Sequence, residues 1–199
     1  MNLPNRLTVL RIILVPFFVV FLVNLTVPHH FLISFLIFAL AAFTDLLDGK
    51  IARKRQLITN FGKFLDPLAD KILVLSALIC FVRLGLAELW FVLLILAREF
   101  MVTSIRLIAV DSGAVIAANL WGKAKTVSQM VAISGILLMQ YAQELMELKL
   151  LPTFAVGSFS SDTVFWLIGN VLVGICTVFT VISGAVYLKQ NWHLFRNSK

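Results

Sequence analysis

Charge is scarce in this chain: Asp, Glu, Lys and Arg make up 14% of 199 residues, against 60% hydrophobic residues. So little charge cannot solvate the surface of a water-soluble domain, and the mean hydropathy of +0.98 exceeds what one core needs. Cysteine is nearly absent as well. Cys80 and Cys176 are the only two, and both lie inside apolar runs, which argues against a disulfide framework or a thiolate metal site. There is no internal repeat and no low-complexity segment. Histidine is limited to three residues; His29 and His30 fall between apolar runs with no further ligand type beside them, and read as solvated loop residues.

Long apolar runs are what the sequence does contain. The longest uncharged one, 164–188, has 25 residues, enough to cross about 30 Å of hydrocarbon. Six spans are expected, at 7–27, 31–47, 64–82, 89–105, 126–142 and 164–188, with a polar linker over 143–162. The fold class is therefore an all-α integral membrane protein, with 1–199 as a single membrane domain. The first run could pass for a signal peptide, but no small-x-small cleavage pattern follows it, so it reads as a retained helix.

The net charge of +7 does not mark a nucleic-acid binder, because the basic residues lie between spans instead of forming one basic and aromatic patch. Six spans put both termini on one side. Assigning loops alternately gathers 13 of the 17 Lys and Arg there, against Arg83 and Lys149 on the other side. By the positive-inside rule both termini are cytoplasmic. Lys71 and Arg98 fall within spans.

Ionisable groups inside apolar runs are expensive and mark partners or function. The uncharged run 31–44 covers only about 21 Å, so the second helix must continue through Asp45 and Asp48. The run 72–82 is shorter still, about 16 Å, so the third must begin near Phe64, with Asp70 about 9 Å deep. Asp45, Asp48, Gly49 and Ala52 share a helical arc of about 100°, and Gly62, Asp66 and Asp70 one of about 80°. Antiparallel neighbours joined by a basic turn can bring these arcs together just inside the cytoplasmic interface. Four carboxylates sharing a low-dielectric cavity stay ionised only if cations compensate them. Oxygen-only ligands favour Mg²⁺ or Mn²⁺, and four carboxylates can support two ions about 4 Å apart, an arrangement suited to phosphoryl transfer from a diphosphate. Gly49, Ala52 and Gly62 serve either helix packing or close approach of a bulky ligand; beside four aspartates the ligand cleft is the stronger reading.

The segment Asp45-Leu-Leu-Asp48-Gly49-Lys-Ile-Ala52-Arg53, eight further residues, and Gly62-Lys-Phe-Leu-Asp66-Pro-Leu-Ala-Asp70 resembles the complete DxxDGxxARx8GxxxDxxxD motif of the CDP-alcohol phosphatidyltransferases. Pro4-Asn5-Arg-Leu7-Thr8-Val-Leu-Arg11, Ala97-Arg98-Glu99-Phe100 and Gly122-Lys123-Ala-Lys125-Thr126 are similar to the bacterial branch that makes phosphatidylglycerophosphate. The resemblance covers roughly residues 2–126. It implies six transmembrane helices, a homodimer in the bacterial plasma membrane, and transfer of a phosphatidyl group from CDP-diacylglycerol to glycerol 3-phosphate with release of CMP. It further implies that Asp45, Asp48, Asp66 and Asp70 hold the metals, that Gly49, Ala52 and Arg53 line the CDP site, and that Asp70 is the general base.

Arg98, near the middle of the fourth span, needs a partner there: it either pairs with Glu99 or a motif aspartate as a structural strut or receives the acceptor's phosphate. Lys123 and Lys125 are expected to steer that phosphate, with Arg106 a weaker candidate. Thr8 and Arg11 either touch the diphosphate or are ordinary helix-entry residues. Pro67 lies in the first turn of its helix or kinks it. Lys54 and Arg55 read as topology markers facing anionic lipid. The final span is generically hydrophobic and adds little to the resemblance. Two alternatives stay open: another acceptor, serine or an inositol phosphate, and a divalent-cation transporter, although the apolar outer half of the third span, 75–82, argues for a dead-end site.

Overall fold

A computed structural model describes the backbone of residues 3–55, 60–111 and 120–192, and the side chains of these except at 3–5, 46–55, 60–67, 70, 108, 110 and 111. Six helices follow in order: α1 (Leu3–Val23), α2 (His30–Arg55), α3 (Asn60–Arg83), α4 (Leu89–Asp111), α5 (Leu120–Glu147) and α6 (Ser161–Gln190). Each coincides with one of the expected apolar runs. As the short apolar stretch of α2 requires, that helix continues well past Asp45. The expected linker is partly ordered: α5 runs to Glu147, and β1 (Ala155–Val156) pairs antiparallel with β2 (Phe159–Ser160). Pro67 is not in a first turn, since α3 starts at Asn60.

By length and composition, α1 and α6 are the described helices able to cross a membrane unaided, and the apolar part of α2, His30–Asp45, is shorter. The bundle is arranged for an apolar solvent. Phe17, Phe43, Trp90, Phe100, Leu107 and Val131 project outward, while Thr8, Arg11, Arg98, Glu99, Lys125 and Ser183 are buried. Large apolar groups outside and charges inside reverse the arrangement of a soluble bundle and define a membrane protein.

Packing divides the six helices unevenly. Helix α1 lies against α2 and α3, α5 bridges α2 and α6, and α4 rests chiefly on α6. Phe18 and Leu22 of α1, Phe38 of α2 and Leu73, Leu78 and Phe81 of α3 form the buried centre of the first group. The α3–α4 connection is a tight reversal: Gly85, at φ +71°, follows α3, with Gly85 N–H on the Val82 carbonyl and Leu86 N–H on the Phe81 carbonyl. This double bond pattern needs the left-handed conformation that glycine adopts without strain. Trp166 of α6 donates to the Gly85 carbonyl at 3.0 Å and Asn170 accepts the Glu88 N–H at 2.9 Å, so α6 fixes the start of α4.

One expectation about the opposite end is corrected. His30 is buried at the first position of α2, and His29, at φ +59°, sets its ring edge-on to Tyr141. They are not solvated loop residues, because the 24–29 turn folds against α5; there Glu144 accepts the Phe31 N–H at 3.4 Å, taking up one of the free donors at the start of α2.

Candidate active site

At one end of the bundle α3, α4, α5 and α6 border a cavity of about 480 Å³, a size suited to a small-molecule ligand. Among the described residues five cationic side chains line it, Lys71, Arg98, Arg106, Lys123 and Lys125, with Glu99 as the one acid. Glu99 sits between two of the cations. Its Oε1 lies 3.1 Å from Arg98 Nη1 and 2.6 Å from Lys125 Nζ, and all three residues are buried. A single buried carboxylate shared by two buried cations leaves the trio with one uncompensated positive charge. Lys123 and Arg106 add exposed positive charge at the rim.

Four of these cations are held by neighbouring side chains, Lys125 by Glu99 as above. Arg98 donates from Nη2 to Ser183 Oγ at 2.7 Å, and Arg106 donates from Nε to the Tyr187 hydroxyl at 3.1 Å while its guanidinium lies 5.3 Å from that ring's centre. Lys71 of α3 donates to Thr103 Oγ1 of α4, and Thr103 donates to the Glu99 carbonyl at 2.6 Å. The structure thus brings together Arg98, Arg106, Lys123 and Lys125, all singled out from the sequence. Lys71, noted within its span, joins them, and Glu99 is the partner weighed for Arg98; the structure adds Thr103 and Tyr187.

The last helix, which adds little to the resemblance, contributes to the site: Tyr187 of α6 lines the cavity and Ser183 bonds the Arg98 that also lines it. A signal for them existed. Asn170, Thr177, Thr180, Ser183, Gly184 and Tyr187 recur at helical spacing along one face of an apolar run, and all are buried. In a membrane helix such a stripe marks the inward face.

Thr8 and Arg11 lie elsewhere, fully buried on α1 and outside the lining of this cavity. Arg11 Nη1 is 2.7 Å from Oδ1 of Asp45, whose side chain is 38% exposed. Arg11 is therefore a partner of a candidate metal ligand, more than a helix-entry residue. Asp48, Gly49, Ala52 and Arg53 belong to α2, and Gly62, Asp66 and Asp70 to α3, but their side chains lie outside the described residues. The donor chemistry of Asp45, Asp48, Asp66 and Asp70 fits a hard divalent cation: oxygen only, anionic, and spaced one turn apart on each of two helices that meet.

A membrane bundle with a cationic cavity at one end is built to take an anionic substrate beside lipid. The chain matches the CDP-alcohol phosphatidyltransferase family over residues 1–182, and it belongs to that family, a family of transferases that generally depend on metal. Among its relatives, a CDP-diacylglycerol--glycerol-3-phosphate 3-phosphatidyltransferase of Bacillus subtilis is 38% identical over 99% of this chain and 98% of its own length. Proteins of the same name from Rickettsia bellii and Haemophilus influenzae are 35% and 40% identical, over 94% and 68% of this chain and 94% and 75% of theirs.

Proposed function

We propose that this enzyme transfers the phosphatidyl group of CDP-diacylglycerol to glycerol 3-phosphate, giving phosphatidylglycerophosphate and CMP, and that the cavity behind Glu99 holds the acceptor's phosphate. The observation that carries the acceptor assignment is the lining itself: among the described residues, five cations around one carboxylate, with Lys71 the residue that follows Asp70 in the chain. That excess of positive charge disfavours a path for divalent cations through the cavity. It also disfavours serine, whose ammonium would meet like charge, and favours a phosphorylated alcohol. The names of the relatives favour glycerol 3-phosphate over an inositol phosphate.

In this reading all six helices cross the plasma membrane of a bacterium, with both termini in the cytoplasm and a second copy of the chain as partner. Asp45, Asp48, Asp66 and Asp70 would hold Mg²⁺ or Mn²⁺, two ions by the number of carboxylates, supplying charge neutralisation at the diphosphate. Gly49, Ala52, Arg53 and Gly62 line the nucleotide side, with Thr8 and Arg11 supporting it from α1. Arg98, Lys123, Lys125 and Arg106 hold the acceptor phosphate and aim its free hydroxyl toward the aspartates. Asp70 takes the hydroxyl proton; the oxygen bonds to the phosphorus carrying diacylglycerol, and the bond from that phosphorus to the CMP oxygen breaks. The acyl chains stay in lipid throughout.

The test is purified protein in detergent with labelled CDP-diacylglycerol and Mg²⁺ or Mn²⁺, offered glycerol 3-phosphate, serine, inositol phosphate or water. Labelled phosphatidylglycerophosphate should form with the first acceptor alone. Transfer to serine in preference to glycerol 3-phosphate would overturn the assignment.

A further inference from the structure

Arg98 is the most constrained cation of the cavity, and what constrains it comes from α6. Its Nη1 meets Glu99 on its own helix, but its Nη2 bonds Ser183 Oγ, and Ser183 is fully buried. The next residue, Gly184, lies directly under the arginine stem: a Cβ at Gly184 would stand 2.9 Å from Arg98 Cγ and 3.9 Å from Arg98 Cβ. Those atoms are the root of the side chain. They cannot swing aside without carrying the guanidinium with them, whereas the Met101 Cε, 3.2 Å from the same point, is the free end of a flexible chain. The contacts to Glu99 and Ser183 use one N–H each of Nη1 and Nη2, so the guanidinium of this cavity-lining arginine retains a donor for a ligand.

We propose that Ser183 and Gly184 are positioning residues for the acceptor: the missing side chain of Gly184 lets the Arg98 stem lie flat on α6, and the Ser183 hydroxyl turns its guanidinium so that the remaining donor serves the acceptor's phosphate. The proposal rests on the reading of the cavity as the acceptor site. An arginine binds phosphate well only when its planar fork is presented at the right angle, so fixing the fork reduces the entropy lost on binding. Two small residues on a neighbouring helix accomplish that without adding charge.

The experiment compares steady-state kinetics of purified Ser183→Ala, Ser183→Thr, Gly184→Ala and Arg98→Met in detergent, and of Ser183→Ala combined with Arg98→Met. Ser183→Ala should raise the KM for glycerol 3-phosphate about three- to tenfold and leave the KM for CDP-diacylglycerol unchanged, with Ser183→Thr close to the parent. Gly184→Ala should show the same selective defect, and larger. In the Arg98→Met background Ser183→Ala should add nothing, because its effect passes through the arginine. If Gly184→Ala yields no monodisperse protein, the Ser183 series decides the matter. A raised acceptor KM in Arg98→Met with none in Ser183→Ala, or an equal Ser183→Ala effect in both backgrounds, overturns the positioning role. An unchanged acceptor KM in Arg98→Met overturns the acceptor-site reading itself.

Discussion

Arg11 of α1 reaches Asp45 of α2 with 2.7 Å between Nη1 and Oδ1, the arginine almost fully buried and the carboxylate open on one side. One carboxylate thus faces a buried fixed charge on one side and remains available on the other. The pairing orients Asp45 without using both its oxygens. It also means that Asp45→Asn has two effects. Removing the charge should nearly abolish activity, and it should take from the buried Arg11 its charge-assisted contact with Asp45, at a cost of about 2 kcal/mol. Thermal unfolding in detergent should therefore shift down for Asp45→Asn and recover in Arg11→Met/Asp45→Asn, while activity stays absent in both. Recovery of activity in the double variant would show that Asp45 serves only to neutralise Arg11.

Asp66 and Asp70 separate by a different measurement. Activity should vanish on chelation and return with Mg²⁺ or Mn²⁺. Asp66→Asn should resist rescue even at high metal, as expected when an anionic ligand is lost. Asp70→Asn should still bind CDP-diacylglycerol in the presence of metal yet fail in single-turnover transfer. Near-normal transfer would exclude Asp70 as the base, and lost binding would make it chiefly a ligand.

The helices were legible because apolar runs and their interruptions are large signals. The run 31–44 is too short to cross a membrane alone, and that shortfall placed Asp45 and Asp48 inside a helix, where α2 does carry them. The cationic residues of the cavity could be named one by one from their odd placement in or beside apolar runs. Their grouping could not, because it depends on α4 packing against α6 instead of α3, a choice that no local pattern encodes. Glu99 was legible as a partner for Arg98, and the two do pair; its bond to Lys125 is a tertiary fact. Residues 29 and 30 misled for the opposite reason, since a polar turn signals solvent until another helix is known to cover it.

His30 supplies a pH dependence on the far side of the protein, just outside the proposed span 31–47. Burial holds its pKa below the ordinary histidine value, with Glu144 and Glu147 of α5 pulling the other way. A depressed pKa means that the unfolded chain takes up a proton before the folded one does. Stability should therefore be present above about pH 6.5 and decline as pH falls through the folded pKa. The unfolding temperature in detergent between pH 7.5 and 5.5 should drop less steeply for His30→Asn than for the parent. Parallel curves would remove His30 from the account.

Lys123 and Lys125, two residues apart and both cationic, should behave differently, because one is exposed and the other buried against Glu99. Lys123 stands at the rim with water to screen it, so Lys123→Ala should raise the KM for glycerol 3-phosphate about three- to tenfold, and its unfolding temperature should stay that of the parent. Lys125→Met removes one of the two cations around a buried carboxylate but leaves Glu99 paired with Arg98, so stability should fall only by the lost charge-assisted contact, about 1.5 to 3 kcal/mol. The acceptor KM should rise, since a phosphate-binding charge is missing. Adding Glu99→Gln then deprives the buried Arg98 of its carboxylate, so the Glu99→Gln/Lys125→Met protein should be less stable than Lys125→Met alone. If Lys125→Met instead lost stability while its acceptor KM stayed that of the parent, Lys125 would be a structural counter-ion of Glu99 and the phosphate would be held by Arg98, Arg106 and Lys123 alone.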